Sequence, residues 1–226
     1  EYHFKVLFSI LKKLDFGEKE MKHISYGMVA LPEGKMKSRE GNVVDADDLI
    51  ENVRIIAEKE LVKRGKLSKT ELKKRSITIA LASIKYLLLK TDIRKDILFN
   101  PKESVSFDGD TGPYILYSYA RAGSILKKAK QKRKFEVRDL DEKEIELVKK
   151  LSGFPEIVLS AYKNLNPSII ANYSYQLAQI FNEFYHSCPV IGSEEHEAFR
   201  LALVESFRQV LKNSLALLGI ETIEEM

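Results

Sequence analysis

After about residue 110 the sequence is a succession of capped amphipathic helices, and this constrains the fold more than any other feature. Gly112-Pro113 puts a proline in a helical first turn, where its missing N–H costs nothing. Asp141 with Glu144 makes a capping-box pair. Residues 152–165 carry another helix after Gly153, and Asn166-Pro167 leads a helix to about Tyr185. Ser193 starts the last helix, which runs to Leu218 and stops at Gly219. Within it Leu201, Leu203, Val204, Leu211, Leu215 and Leu217 read as core packing. This half of the chain is expected to be an all-α bundle.

The first half is mixed. Residues 2–14 read as a helix, with Phe4, Leu7, Phe8, Leu11 and Leu14 at three- and four-residue spacing. Residues 24–31 are rich in β-formers and read as a strand, and residues 32–44 as a loop. Asp45 begins a helix to about Arg64, with Gly65 as its stop. Ser68 and Glu71 cap a longer helix to about Leu89, striped by Ile77, Leu81, Ile84 and Leu88. Residues 91–110 carry turn signals, and the helix opened by Pro113 is expected to reach the basic tract ending near Lys134.

Composition narrows the function classes. Hydrophobic residues are 44% and charged residues 31%, as in a soluble globular chain rather than a disordered one. No apolar run approaches the roughly 20 residues of a membrane span, and no leader pattern opens the chain, so no membrane partner is expected. A single cysteine, Cys188, excludes an intrachain disulfide and a cysteine zinc site; it reads as a buried thiol in a reducing, cytoplasmic compartment. The four histidines show no ligand spacing, so no structural metal is expected. Residues 1–134 hold 29 Lys and Arg against 18 Asp and Glu, whereas residues 135–226 hold 8 against 15. A basic half suits a polyanion partner, though charge runs also simply solvate helix faces.

Two constellations carry chemistry. Between Gly34 and Gly41 lie Lys35, Met36, Lys37, Ser38 and Arg39, three cations within five positions. Such a loop can close over a triphosphate and stabilise the charge that builds as pyrophosphate leaves. By spacing alone a solvated loop is the commoner outcome. The second runs from Phe107 to Arg121, where Tyr114, Tyr117 and Arg121 stand at i, i+3 and i+7 on one helix face. Aromatic planes beside a guanidinium suit single-stranded RNA; tyrosines that merely pack a helix are the plain alternative. The tract of six cations from Lys127 to Lys134 suits phosphate contact or an exposed helix end equally well.

The first loop resembles the KMSKS loop of class I aminoacyl-tRNA synthetases in its arginyl form, through Lys35, Met36, Arg39, Gly41, Asn42, Val43 and Val44. Lys37 replaces the central serine of that motif, and Ser38 its second lysine. The stretch from Phe107 to Arg121 resembles the segment opening the anticodon-binding domain of arginyl-tRNA synthetases. Residues 181–190 and the closing helix with its terminal Met226 resemble the end of the same domain. The family's proline in the short tail is replaced by about Ile223, which implies a looser tail.

The resemblance implies the end of a Rossmann-like catalytic domain over residues 1–65, a connecting helical region over 66–109, and an all-α anticodon-binding domain over 110–226. It implies an arginine–tRNA ligase using ATP with magnesium. Lys35 and Arg39 are then the catalytic contacts to the ATP phosphates, within the loop of Lys35, Met36, Lys37, Ser38 and Arg39. Tyr114, Tyr117, Arg121, Tyr185 and Met226 become the tRNA contacts. The second class I motif, HIGH, is absent, since no His-x-x-His occurs, and the chain alone is expected not to aminoacylate. Two alternatives stand: a cysteinyl-tRNA synthetase relative, and a non-catalytic tRNA-binding module.

Overall fold

The computed structural model describes residues 1–31, 34–35, 45–65, 67–129, 137 and 139–226. As the helical pattern predicts, it is mainly α. Helix α1 (Tyr2–Lys13) is followed by strands β1 (Val29–Leu31) and β2 (Gly34–Lys35), then α2 (Ala46–Arg64) and α3 (Lys69–Lys90). Strand β3 (Ile97–Leu98) and the single-turn α4 (Pro101–Ser104) fill the stretch read as irregular. The bundle continues with α5 (Gly112–Lys128), α6 (Glu142–Ser152), α7 (Phe154–Asn164), α8 (Ser168–Ser187) and α9 (Glu197–Leu217), the last preceded by a 3₁₀ turn at Glu194–His196.

The sheet has the order β2-β1-β3, with β1 antiparallel to β2 and parallel to β3. Only Val29–Leu31 of the expected strand joins the ladder. Just before it, Gly27 N–H donates to the Ile93 carbonyl at 2.7 Å, Met28 N–H donates to Asp96 Oδ1 at 2.8 Å, and the Met28 carbonyl accepts from Ile97 N–H at 2.8 Å.

Caps set the helix starts. The Asp45 carboxylate accepts from Asp47 N–H at 2.9 Å, and Ser68 Oγ from Glu71 N–H at 3.2 Å. The capping box at Asp141 and Glu144 is complete in both directions. Helix α5 ends at Lys128, short of the expected Lys134, because Ala129 is extended (φ −69°, ψ 130°); residues 130–134 lie outside the described residues.

Val53, Ala57 and Leu61 recur every four residues on α2 and are buried against α3, so both helices belong to the same core as α5, α8 and α9. Burying Leu61 fully contributes about 1.5–3 kcal/mol. Phe181 of α8 stacks on Phe207 of α9 with centroids 3.7 Å apart, and Ser174 and Ser214 share a buried hydrogen bond of 2.9 Å. No residue of α1 is buried: of the expected apolar stripe Phe4, Leu7 and Leu14 are exposed, and Phe8 and Leu11 are half-buried.

Candidate nucleic-acid interface

The segment from Phe107 to Tyr114 is spent mostly on placing α5. Phe107 is buried, with the Arg64 guanidinium 4.0 Å above its ring. Asp110 accepts hydrogen bonds from the Tyr86 hydroxyl and from Lys90 Nζ (3.0 Å), both on α3. Burial and this carboxylate together push the Tyr86 hydroxyl well above the ordinary tyrosine range. Thr111 caps the helix, its Oγ1 accepting from Tyr114 N–H at 3.3 Å while donating to the Ser106 carbonyl at 2.5 Å. Gly112 sits against α3: a Cβ there would lie 2.6 Å from the Ala82 carbonyl oxygen. Only glycine permits that approach.

Beyond this anchor α5 presents Tyr117, Ala120, Arg121, Ser124, Ile125 and Lys128 to a groove of about 520 Å³. Tyr185 at the end of α8, Pro189 to Ile191 after it, and Met226 complete the walls. Three aromatic or flexible apolar surfaces and two cations thus converge, which suits a flat, negatively charged ligand. The Arg121 guanidinium stands 4.7 Å from the Tyr117 ring centroid and 5.7 Å from that of Tyr185. Its Nη1 donates to Asn182 Oδ1 at 2.8 Å, and Asn182 Nδ2 donates to Tyr114 Oη (2.9 Å) and Ser118 Oγ (3.0 Å). Those two acceptors fix the amide orientation and hence the side from which Arg121 is held.

The tail is pinned, not loose. Ile220 and Ile223 are buried, and Lys85 Nζ donates to the Gly219 carbonyl. Glu224 accepts from Arg208 and from the Tyr119 hydroxyl at 3.3 Å, and Glu225 pairs with Lys127. Ile223, at the position whose substitution implied a looser tail, supplies apolar burial that holds Met226 at the groove. The opposite wall is set by Arg200, which donates to the fully buried Glu144 at 2.6 Å and to the Pro189 carbonyl at 2.8 Å.

Of the residues singled out from sequence, Tyr117, Arg121, Tyr185 and Met226 come together in this groove. Tyr114 does not line it; the half-buried ring packs on Tyr175 with centroids 5.6 Å apart. Lys35 pairs through its backbone with Ala30, while Met36, Lys37, Ser38 and Arg39 lie outside the described residues. Asn182 and Ser124 are not among the residues chosen from sequence, and Lys128 enters there only as part of the basic tract. Asn182 stands three residues before Tyr185, a helical neighbour of a residue already chosen, and that spacing is the signal that points to it. Cys188 is buried, and its thiol is pushed up to about 11, chiefly by desolvation.

Comparison with known proteins agrees with this anatomy. Residues 1–100 match the model of the class I (R) tRNA synthetase catalytic domain, and residues 115–226 that of the DALR anticodon binding domain. The chain is 45% identical along its whole length to the arginine–tRNA ligase of Flavobacterium psychrophilum and 42% to that of Treponema pallidum, covering 39% and 40% of them. It therefore spans about two fifths of the length of these relatives. Among solved structures, the arginyl-tRNA synthetase of Thermus thermophilus superposes with a TM-score of 0.84 at 31% identity, over 90% of this chain and 35% of that one. That of Plasmodium falciparum gives 0.80 at 28% identity, over 99% and 39%. Two family models in the expected order, and relatives of a single description at this identity, show that the chain belongs to the arginyl-tRNA synthetase family.

Proposed function

We propose that this chain works as part of an arginine–tRNA ligase, contributing the loop over the ATP phosphates and the surface that binds the anticodon loop of an arginine tRNA. The observation that carries the reading is the groove in which Tyr117, Arg121, Tyr185 and Met226 converge. An unpaired base stacks on the aromatic rings, and Arg121 meets its phosphate or its polar edge. Tyr114 supports the site from below through Asn182. In this reading residues 1–65 serve the catalytic part, 66–109 connect it, and 110–226 bind the tRNA, in the cytoplasm.

The reaction is ATP-dependent activation of arginine followed by transfer to tRNA. Lys35 and Arg39, with Met36, Lys37 and Ser38 between them, supply the cations and donors that a triphosphate chain needs. In the chain this stretch begins at the end of β2, Lys35, and precedes the start of α2 at Ala46. The N-cap Asp45 and the first-turn Asp47 and Asp48 oppose phosphate at that end of α2, so Lys35 and Arg39 are left to hold the charge. Magnesium carried with ATP would neutralise part of the phosphate charge there, beside Lys35 and Arg39. We read the ion as carried by the nucleotide.

Removing Met226 or changing Tyr185→Ala should each weaken binding of an arginine tRNA about tenfold, with thermal unfolding nearly unchanged. Unaltered affinity in both variants would exclude the groove as the RNA site.

A further inference from the structure

Arg64, the last residue of α2, is exposed at the edge of the groove and contributes to none of its walls. Its guanidinium lies 4.0 Å over buried Phe107 and 5.8 Å from the centroid of Tyr117, the ring that Arg121 approaches to 4.7 Å. Two guanidiniums therefore approach Tyr117, one from α2 and one from its own helix. The carboxylate one turn back on α2, Glu60, is taken by Lys63 at 2.6 Å, and among the described ion pairs Arg64 has no carboxylate partner. An arginine held over an aromatic face keeps its N–H fork free and is partly preorganised, because the ring contact restricts its rotamers. Lys127 is already paired with Glu225, and Arg208 with Glu224. Among the described residues, unneutralised charge beside the aromatic platform is thus concentrated at Arg121, Lys128 and Arg64.

We propose that Arg64 is a second RNA-phosphate fork that, with Arg121, approaches Tyr117 and grips the backbone of the strand whose base occupies the groove. The inference deepens the anticodon-binding reading and rests on it. Its ligand is the phosphodiester of single-stranded RNA, without regard to base. Such a contact adds affinity equally for any sequence and adds one counterion to the salt dependence.

The test measures binding of an arginine tRNA transcript and of the same transcript with its anticodon loop replaced, across a salt series. Arg64→Met keeps an apolar cover over Phe107 and removes the charge; Arg64→Lys restores the charge. Arg64→Met should weaken both RNAs by the same factor, about fivefold, and lower the slope of log affinity against log salt by about 0.7. Arg64→Lys should recover most of the slope. Unchanged affinity and slope in Arg64→Met overturn the proposal and leave Arg64 as a lid on Phe107. Arg121→Gln, measured alongside, separates the two claims. If it lowers affinity while Arg64→Met does not, only the Arg64 assignment fails. If neither variant has an effect, the groove reading fails as well.

Discussion

Asn182 on α8 and Arg121 on α5 are joined by a hydrogen bond of 2.8 Å, and this bond decides how the groove presents its cation. Without it a long arginine would sample many rotamers; with it, part of that entropy is spent on folding rather than on binding. Asn182→Leu removes the tether and leaves the Tyr114 hydroxyl and Ser118 Oγ without their donor. We expect a loss of about 1–2 kcal/mol in stability and about tenfold in tRNA affinity. Urea unfolding and tRNA titration of the variant check both numbers.

The buried pair of Glu144 and Arg200 yields an asymmetric prediction. Arg200→Met strands a carboxylate that is 0% exposed, which should cost about 3–5 kcal/mol in a urea melt. Replacing both partners, as Arg200→Met with Glu144→Leu, should restore part of that stability, since no buried charge remains although Asp141 N–H loses its Glu144 acceptor. The double variant should nevertheless bind tRNA less well, because the Pro189 carbonyl has lost the donor that sets one groove wall.

Gly112→Ala should be disproportionately harmful for a helical position. The added methyl carbon would fall 2.6 Å from the Ala82 carbonyl oxygen, and the obstacle is backbone that cannot rotate away. Overpacking of this kind costs about 1–3 kcal/mol. A drop in melting temperature in Gly112→Ala, against a mild effect in Gly153→Ala, where the nearest atoms stand at 3.7 Å, tests the close approach.

Cys188 gives a pH signature. Its thiol is pushed from 9.0 up to about 11 by burial. Below pH 9 it is neutral in both folded and unfolded chains and stability is unaffected by it. Between pH 9 and 11 only the unfolded chain releases the proton, so stability falls as pH rises, by about 2–3 kcal/mol in all. Cys188→Ala should lose that decline relative to the parent in melts at pH 8 and pH 10.5. Equal declines in the two proteins would contradict the burial of the thiol.

Local chemistry makes most of the helices legible in the sequence itself. Asp45, Ser68 and Asp141 announce their helices because capping is a contact across three residues. Spacing sets Tyr117 and Arg121 on one face of α5, whereas Tyr185 and Met226 enter only through the family resemblance. What stays hidden depends on distant segments meeting. Strand β3 pairs with β1 across more than sixty residues, and nothing local at Ile97 reveals its partner. The departure of Tyr114 from the groove is set by the crossing of α5 and α8, where Asn182 and Tyr175 claim the ring. The burial of Ile223 and the approach of Arg64 to Tyr117 likewise require the packed tail and the packed α2.

The most direct test of the central claim is the affinity of the protein for an arginine tRNA transcript against the same transcript with its anticodon loop replaced, at one fixed moderate salt concentration. The native loop should bind at least tenfold tighter, and Tyr185→Ala should abolish the difference. Equal affinity for the two RNAs would mean that the basic half of the chain merely grips phosphates, and the groove would not be an anticodon site.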